Sequence, residues 1–259
     1  MGFYDLSRPE RERLLQKIEQ EIASALENDK PAEIEQYASD SDTHVRKNVY
    51  LILGRLYRDQ QGSRTKILAV IISLLRSSDE KVRQTAVYAL GEIGKVDAGK
   101  AIELLGETLS DEHHSVRNAV IGALKQTGEK NPEPVLEFAR KYLHNPDPKI
   151  RREIVHGLEL RGRTHPEEIL PFLQELENDP DKKIRETLVH VIGQISYKKG
   201  CLEKVVVSLK TWNNRALVEK AIGEILDVHK RYEKFSARSY KEAEHILKIK
   251  GWEKHDGDC

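Results

Sequence analysis

One phrase recurs through this chain and restricts what it can fold into: an apolar residue followed by arginine, usually with aspartate three residues ahead of the apolar position. The arginines are Arg46, Arg83, Arg117, Arg151 and Arg185, at intervals of 37, 34, 34 and 34 residues. A sixth copy at Leu217-Val218 keeps the apolar residue and lacks the arginine. Four positions after the anchors Val45, Val82, Val116, Ile150, Ile184 and Leu217 come Val49, Ala86, Val120, Ile154, Leu188 and Ala221. Eight positions after them come Leu53, Leu90, Leu124, Leu158, Ile192 and Ile225. Such spacing is one face of an α-helix, written six times. A self-similar period of this length means a stack of supersecondary units, because one unit cannot bury its apolar face alone.

Each of these helices follows another amphipathic stretch, such as Ile67-Leu68-Ile71-Leu74-Leu75 or Ile169-Leu170-Phe172-Leu173-Leu176. Asn131-Pro132 reads as a helix start, and Ser7-Arg8-Pro9-Glu10 and Thr164-His165-Pro166-Glu167 read as capping boxes. Gly94, Gly128 and Gly162 are expected to end helices in the left-handed conformation. No strand pattern competes. The expected fold is all-α: a right-handed α-solenoid of stacked helix pairs, an α-α superhelix rather than two globular domains. Its expected organisation is one solenoid over 1–251. A first repeat at 8–60 opens with a long helix at about 9–28, core repeats span 61–230, and a capping helix lies at 239–251. A flexible tail is expected at 252–259.

Composition removes several alternatives. No run of about 18 apolar residues is present, so no membrane span is expected. The start, MGFYDLSRPERERLL, lacks the apolar core of a signal peptide. Cys201 and Cys259 are too few for a disulfide framework or a zinc cluster, which points to a reducing, cytoplasmic setting. Lysine plus arginine and aspartate plus glutamate number 43 each, so no net charge advertises nucleic acid.

The phrases DEKVRQTAVYALGEIG (79–94), HSVRNAVIGALKQTG (114–128), DPKIRREIVHGLELRG (147–162) and DKKIRETLVHVIGQIS (181–196) resemble the HEAT-repeat superfamily, in particular the short HEAT-like repeats of phycobilisome lyases. The tryptophan/leucine-glycine/tyrosine signature of tetratricopeptide repeats and the Thr-Pro-Leu-His of ankyrin are missing. The resemblance spans about 42–230 and implies the fold, whereas function varies widely on such repeats. It also implies an aspartate–arginine ladder between repeats, for which Asp79, Arg83, Arg117, Asp147, Arg151, Asp181 and Arg185 are the candidates. In such folds the second helices line a concave face.

On those helices, offsets 2, 6, 9 and 13 from the anchor fall opposite the apolar stripe. The candidate binding residues there are Lys47, Arg58, Gln84, Tyr88, Asn118, Lys125, Arg152, His156, Arg163, Glu186, His190 and Tyr197, with Tyr88, Tyr197 and Arg152 the expected anchors. The same offsets place Gly54, Gly91, Gly122, Gly193 and Gly223 inside helices on the expected open face. This reads as a repeat signature in preference to close approach of a ligand. His156 and His190 occupy equivalent positions in adjacent repeats, but no accompanying carboxylate or cysteine is evident at ligand spacing, so no metal is expected. His113-His114 reads as a solvated turn and Cys201 as packing. No nucleophile elbow, phosphate loop, His-Glu-x-x-His or dinucleotide fingerprint occurs, so no catalytic residue and no cofactor is assigned.

The function expected is a non-enzymatic scaffold or adaptor holding a protein or peptide. A second possibility is a DNA-binding protein sharing architecture with the DNA-alkylation-repair glycosylases. Residues 198–250 carry 13 basic against 7 acidic residues, and Trp212-Asn213-Asn214-Arg215 faintly suggests a base pocket. Glu129, Glu159, Glu186 and Glu219 would repel a phosphate backbone along the stripe, which counts against this reading. A third, implied by the repeat branch alone, is a bilin-lyase-like chaperone or lyase subunit.

Overall fold

The computed structural model describes residues 2–252, so the expected tail, with His255 and Cys259, lies outside the described residues except for Trp252. Every regular element among the described residues is helical, and the fold is an α-solenoid of stacked helix pairs. Contacts group the chain into two compact units, Met1–Val135 and Leu136–Cys259.

The first unit opens with α1 (Arg8–Glu27), the long first helix, followed by α2 (Pro31–Ala38) and α3 (Thr43–Asp59). It continues with the pairs α4 (Arg64–Leu75) and α5 (Glu80–Gly94), then α6 (Ala98–Thr108) and α7 (His114–Lys130). Helix α8 (Pro132–Tyr142) contains the division between the units. The second unit continues with α9 (Pro148–Gly157) and the single turn α10 (Glu159–Gly162), then α11 (Pro166–Glu175) and α12 (Lys182–Gln194). Helices α13 (Cys201–Leu209), α14 (Arg215–Arg231) and α15 (Tyr240–Ile249) complete it. The second helices of each pair lie side by side, α3–α5–α7 in the first unit and α9–α12–α14 in the second. Their repeated apolar positions are the core: Val49, Leu53, Ala86, Leu90, Leu188, Ile192, Ala221 and Ile225 are all fully buried.

Helix starts follow a common rule. Asp42, Asp79, Asp147 and Asp181 each accept the backbone amide two residues on, at 2.7–2.8 Å, satisfying one of the amides a helix N-terminus leaves unpaired. His113 takes the same place at α7 and is therefore a helix cap, not part of a solvated turn. Ser7 and Ser239 form capping boxes with Glu10 and Glu242. Thr164 does not: its hydroxyl donates back to the Arg161 carbonyl (3.2 Å), and His165 is the residue before Pro166.

The arginine column closes the connectors. In each repeat the guanidinium donates to a carbonyl six residues earlier: Asp40 from Arg46, Ser77 from Arg83, Asp111 from Arg117, Asn145 from Arg151 and Asp179 from Arg185. Arg83 and Arg151 also reach the next repeat. Arg83 grips Asp111 with two bonds (2.8 and 3.1 Å), and Arg151 grips Asp179 likewise (2.8 and 2.9 Å). The rung carboxylates therefore stand two residues ahead of the helix cap and are not the capping aspartates Asp79, Asp147 and Asp181.

The glycines expected to stop helices do something else. Among the described glycines only Gly200 (φ 75°) and Gly251 (φ 82°) adopt the left-handed conformation. Gly94 and Gly162 admit close neighbours instead: an added Cβ would overlap the Thr127 side chain at Gly94 and lie 2.7 Å from Ile195 Cγ2 at Gly162. Helix α7 runs straight through Gly128.

Candidate functional site on the second-helix faces

In the first unit the open face of α3, α5 and α7 presents Lys47 and Asn118, both exposed, and Gln84, whose amide donates to the Ser115 carbonyl at 3.2 Å. Between them sit two half-buried tyrosines. The Tyr50 and Tyr88 rings are 5.2 Å apart. On its other side Tyr88 lies against Gly122, where an added Cβ would stand 3.2 Å from Cε1. The glycine thus makes room for the ring. Burial pushes both phenol pKa values up, so the rings stay neutral hydrogen-bonding groups. They border a cleft of about 320 Å³ that His44, Arg46 and Lys47 also line, with no acidic residue in its lining. Arg58 is exposed and pairs with the adjacent Asp59 (2.7 Å), and Lys125 is half-buried.

In the second unit Arg152 and Glu186 are exposed, and Glu186 pairs with Lys182 (3.5 Å). The His156 and His190 rings are 5.8 Å apart, across the α9–α12 contact. A carboxylate does accompany them, contrary to the sequence expectation. Glu159, only 4 % exposed, places Oε2 3.9 Å from His156 Nδ1 while Oε1 accepts from Arg163 at 2.5 Å. A histidine and a glutamate three apart on one helical stretch are the sequence signal for this pairing. Arg163 also donates to Gln194 (3.0 Å) and lies over the Tyr197 ring. Tyr197 is not an exposed anchor: it is 7 % exposed, stacked with Tyr232 at 5.6 Å, and its carbonyl accepts from Ala237.

The expected face was drawn one flank too wide. Offset 9 is largely the seam between successive second helices: Gly54, Gly91, Glu159, Gly193 and Leu226 are buried there. An added Cβ at Gly54 would overlap Glu92, at Gly91 it would lie 2.9 Å from Ala123 Cα, and at Gly193 2.5 Å from Glu224 Cγ. These glycines admit the neighbouring helix of the same chain. Trp212, suspected of forming a base pocket, is fully buried. Asn214 caps α14, and the Asn213 and Asn214 amides both donate to the Glu177 carboxylate at 2.8 and 3.0 Å. Cys201 is buried as expected, and burial raises its thiol pKa.

Among curated proteins none matches this sequence. Solved structures with a similar fold include AlkD2 from Streptococcus mutans, at 19% identity and a TM-score of 0.57, covering 75% of this chain and 96% of that one. Another is smu.31 from Streptococcus mutans UA159, at 19% identity and a TM-score of 0.52, covering 79% and 97% respectively. Kap95p, described in its complex with RanGDP, is similar over 92% of this chain and 34% of its own, at 14% identity and a TM-score of 0.53. These likenesses concern the fold. HEAT repeats match residues 31–125, 68–158 and 136–221, well over half the sequence, and the chain belongs to the HEAT-repeat family.

Proposed function

We propose that this chain is a non-enzymatic adaptor that binds a protein or peptide along the faces of its second helices. The observation that carries the proposal is the tyrosine cleft of the first unit. Its volume, about 320 Å³, suits an inserted side chain, and aromatic side chains beside arginine are the groups that most often dominate protein interfaces. Its basic rim of His44, Arg46 and Lys47 suits a partner segment that places an apolar or aromatic side chain next to an acidic one.

Four cations on or beside these faces argue in the same direction. Arg58 pairs with Asp59, Lys95 with Glu92, Arg163 with Glu159 and Arg231 with Glu224. A duplex-binding track of about six to ten phosphate contacts needs cations that are not already matched in this way. Burial of Trp212 also removes the aromatic group that a base pocket requires.

The test is affinity capture from nuclease-treated extract of the source cell, comparing wild type with Tyr88→Ala and Lys47→Glu. A protein recovered by wild type and lost in both variants is the expected result. Equal recovery by all three forms, or tight duplex binding at physiological salt, refutes the reading.

A further inference from the structure

His156, Glu159 and His190 form a second feature of the second unit, and it does not depend on the adaptor reading. One ligand-capable atom from each lies within 4.8 Å of the others. Their convergence follows from the repeat. His156 and His190 hold the same register on neighbouring helices, and Glu159 lies one turn beyond His156 on the same face. A pairing of imidazole and carboxylate three residues apart is how helical bundles commonly present metal ligands.

We propose that these three side chains bind one divalent transition-metal ion of the zinc class. Two imidazole nitrogens and one carboxylate oxygen are the donors such ions take, with a further position left to solvent. Bonds of about 2.0–2.1 Å to a tetrahedral ion place ligand atoms about 3.3 Å apart, so donors separated by up to 4.8 Å must close by no more than about 1.5 Å to meet one ion. The surrounding groups orient the donors. Arg163 holds Glu159 Oε1 and leaves Oε2 turned toward His156. Glu224 Oε1 stands 3.9 Å from His190 Nδ1, on the side that fixes the ring when the other nitrogen ligates a metal.

His156 and His190, though not Glu159, line a shallow cavity of about 490 Å³ together with Arg152, Lys183 and Glu186, so an anion is the competing occupant. The buried Glu159 carboxylate beside His156 opposes an anion and favours a cation. Exposed Arg152 and Lys183 weaken a dication's binding without occupying its ligands.

The experiment is a titration of the full chain with Co²⁺, following its visible ligand-field absorption, then displacement by Zn²⁺. Expected are one equivalent bound with a dissociation constant below about 100 µM and complete displacement by zinc. His156→Ala and His190→Ala should each weaken binding by at least about tenfold, and Glu224→Gln by about tenfold. Glu159→Gln risks disturbing Arg163, whereas the His190 side chain is 43% exposed and its loss leaves the fold intact, as circular dichroism will verify. Three results overturn the proposal: no cobalt uptake in this range, undiminished uptake by the double histidine variant, or binding of inorganic phosphate that the histidine variants abolish without any metal uptake.

Discussion

Replacing Arg151 with methionine probes the ladder at its most buried rung. Methionine retains the aliphatic stem and removes four hydrogen bonds: two to the Asp179 carboxylate (2.8 and 2.9 Å) and one each to the Asn145 and Pro146 carbonyls (2.8 and 3.2 Å). Asp179, 7 % exposed, keeps the Asp181 amide at 2.9 Å but loses its counter-charge. Stranding one partner of a buried pair costs roughly 3–5 kcal/mol. Arg185, which still donates to the Asp179 carbonyl, places the expected loss near ~3 kcal/mol. The control is the exposed pair Arg8–Glu12, where Arg8→Ala should cost no more than about 0.5 kcal/mol. Adding Asp179→Asn to Arg151→Met removes the stranded charge while keeping an acceptor, and should recover at least ~1 kcal/mol. Urea unfolding followed by the fluorescence of fully buried Trp212, in a Trp252→Phe background, reads the second unit directly.

The same rung has a pH signature. Burial alone would raise the Asp179 pKa, but the bonds from Arg151 and the Asp181 amide outweigh it and hold the carboxyl below the usual aspartate range. A carboxyl depressed in the folded state contributes stability above its unfolded pKa, about 3.9, and that contribution is lost as pH falls through the folded value. The penalty of Arg151→Met should therefore shrink in acid. A penalty under 1 kcal/mol at neutral pH, or a double variant no more stable than the single one, refutes the rung as a stabilising element.

Two further outcomes follow from burial and close packing. His229 is fully buried and burial lowers its pKa, so protonation favours the unfolded chain. Stability is then level above about pH 6.5 and falls below it, and His229→Leu should flatten that fall in urea titrations at pH 7.5 and 5.5. Gly193→Ala must push Glu224 aside and should cost about 1–3 kcal/mol, whereas exposed Gly223, with nothing within 4 Å of an added Cβ, should gain roughly 0.5–1 kcal/mol as alanine. Thermal unfolding of both variants checks the opposite signs.

The period and the buried stripe were legible in the sequence because each belongs to one helix. Relations between repeats were harder to read. Asp111 and Asp179 carry no local mark that distinguishes them as rung partners, since the arginine they bind lies 28 residues earlier. Offset 9 looks solvent-facing on an isolated helix, and only the side-by-side packing of second helices buries Gly54, Gly91 and Gly193. The offset of Tyr197 faces it away from the stripe of its own helix, and Tyr232, at the end of α14, stacks on it. Glu159, at offset 9, reads on an isolated helix as a surface charge, and only its burial turns it toward His156.

The arginine column bears on how such a chain can change length over generations. Every one of the five arginines closes the connector of its own repeat in the same register, six residues back. A duplicated or deleted segment of about 34 residues, cut at equivalent points, therefore carries its own closure with it. What it requires of the new neighbour is a matching apolar surface. At Arg83 and Arg151 the guanidinium also takes a carboxylate of the next repeat, and that contact rests on a single codon, the one two places before the next helix cap, where Asp111 and Asp179 stand. Repeat number and this one contact between repeats can thus evolve separately, the first by recombination and the second by point substitution.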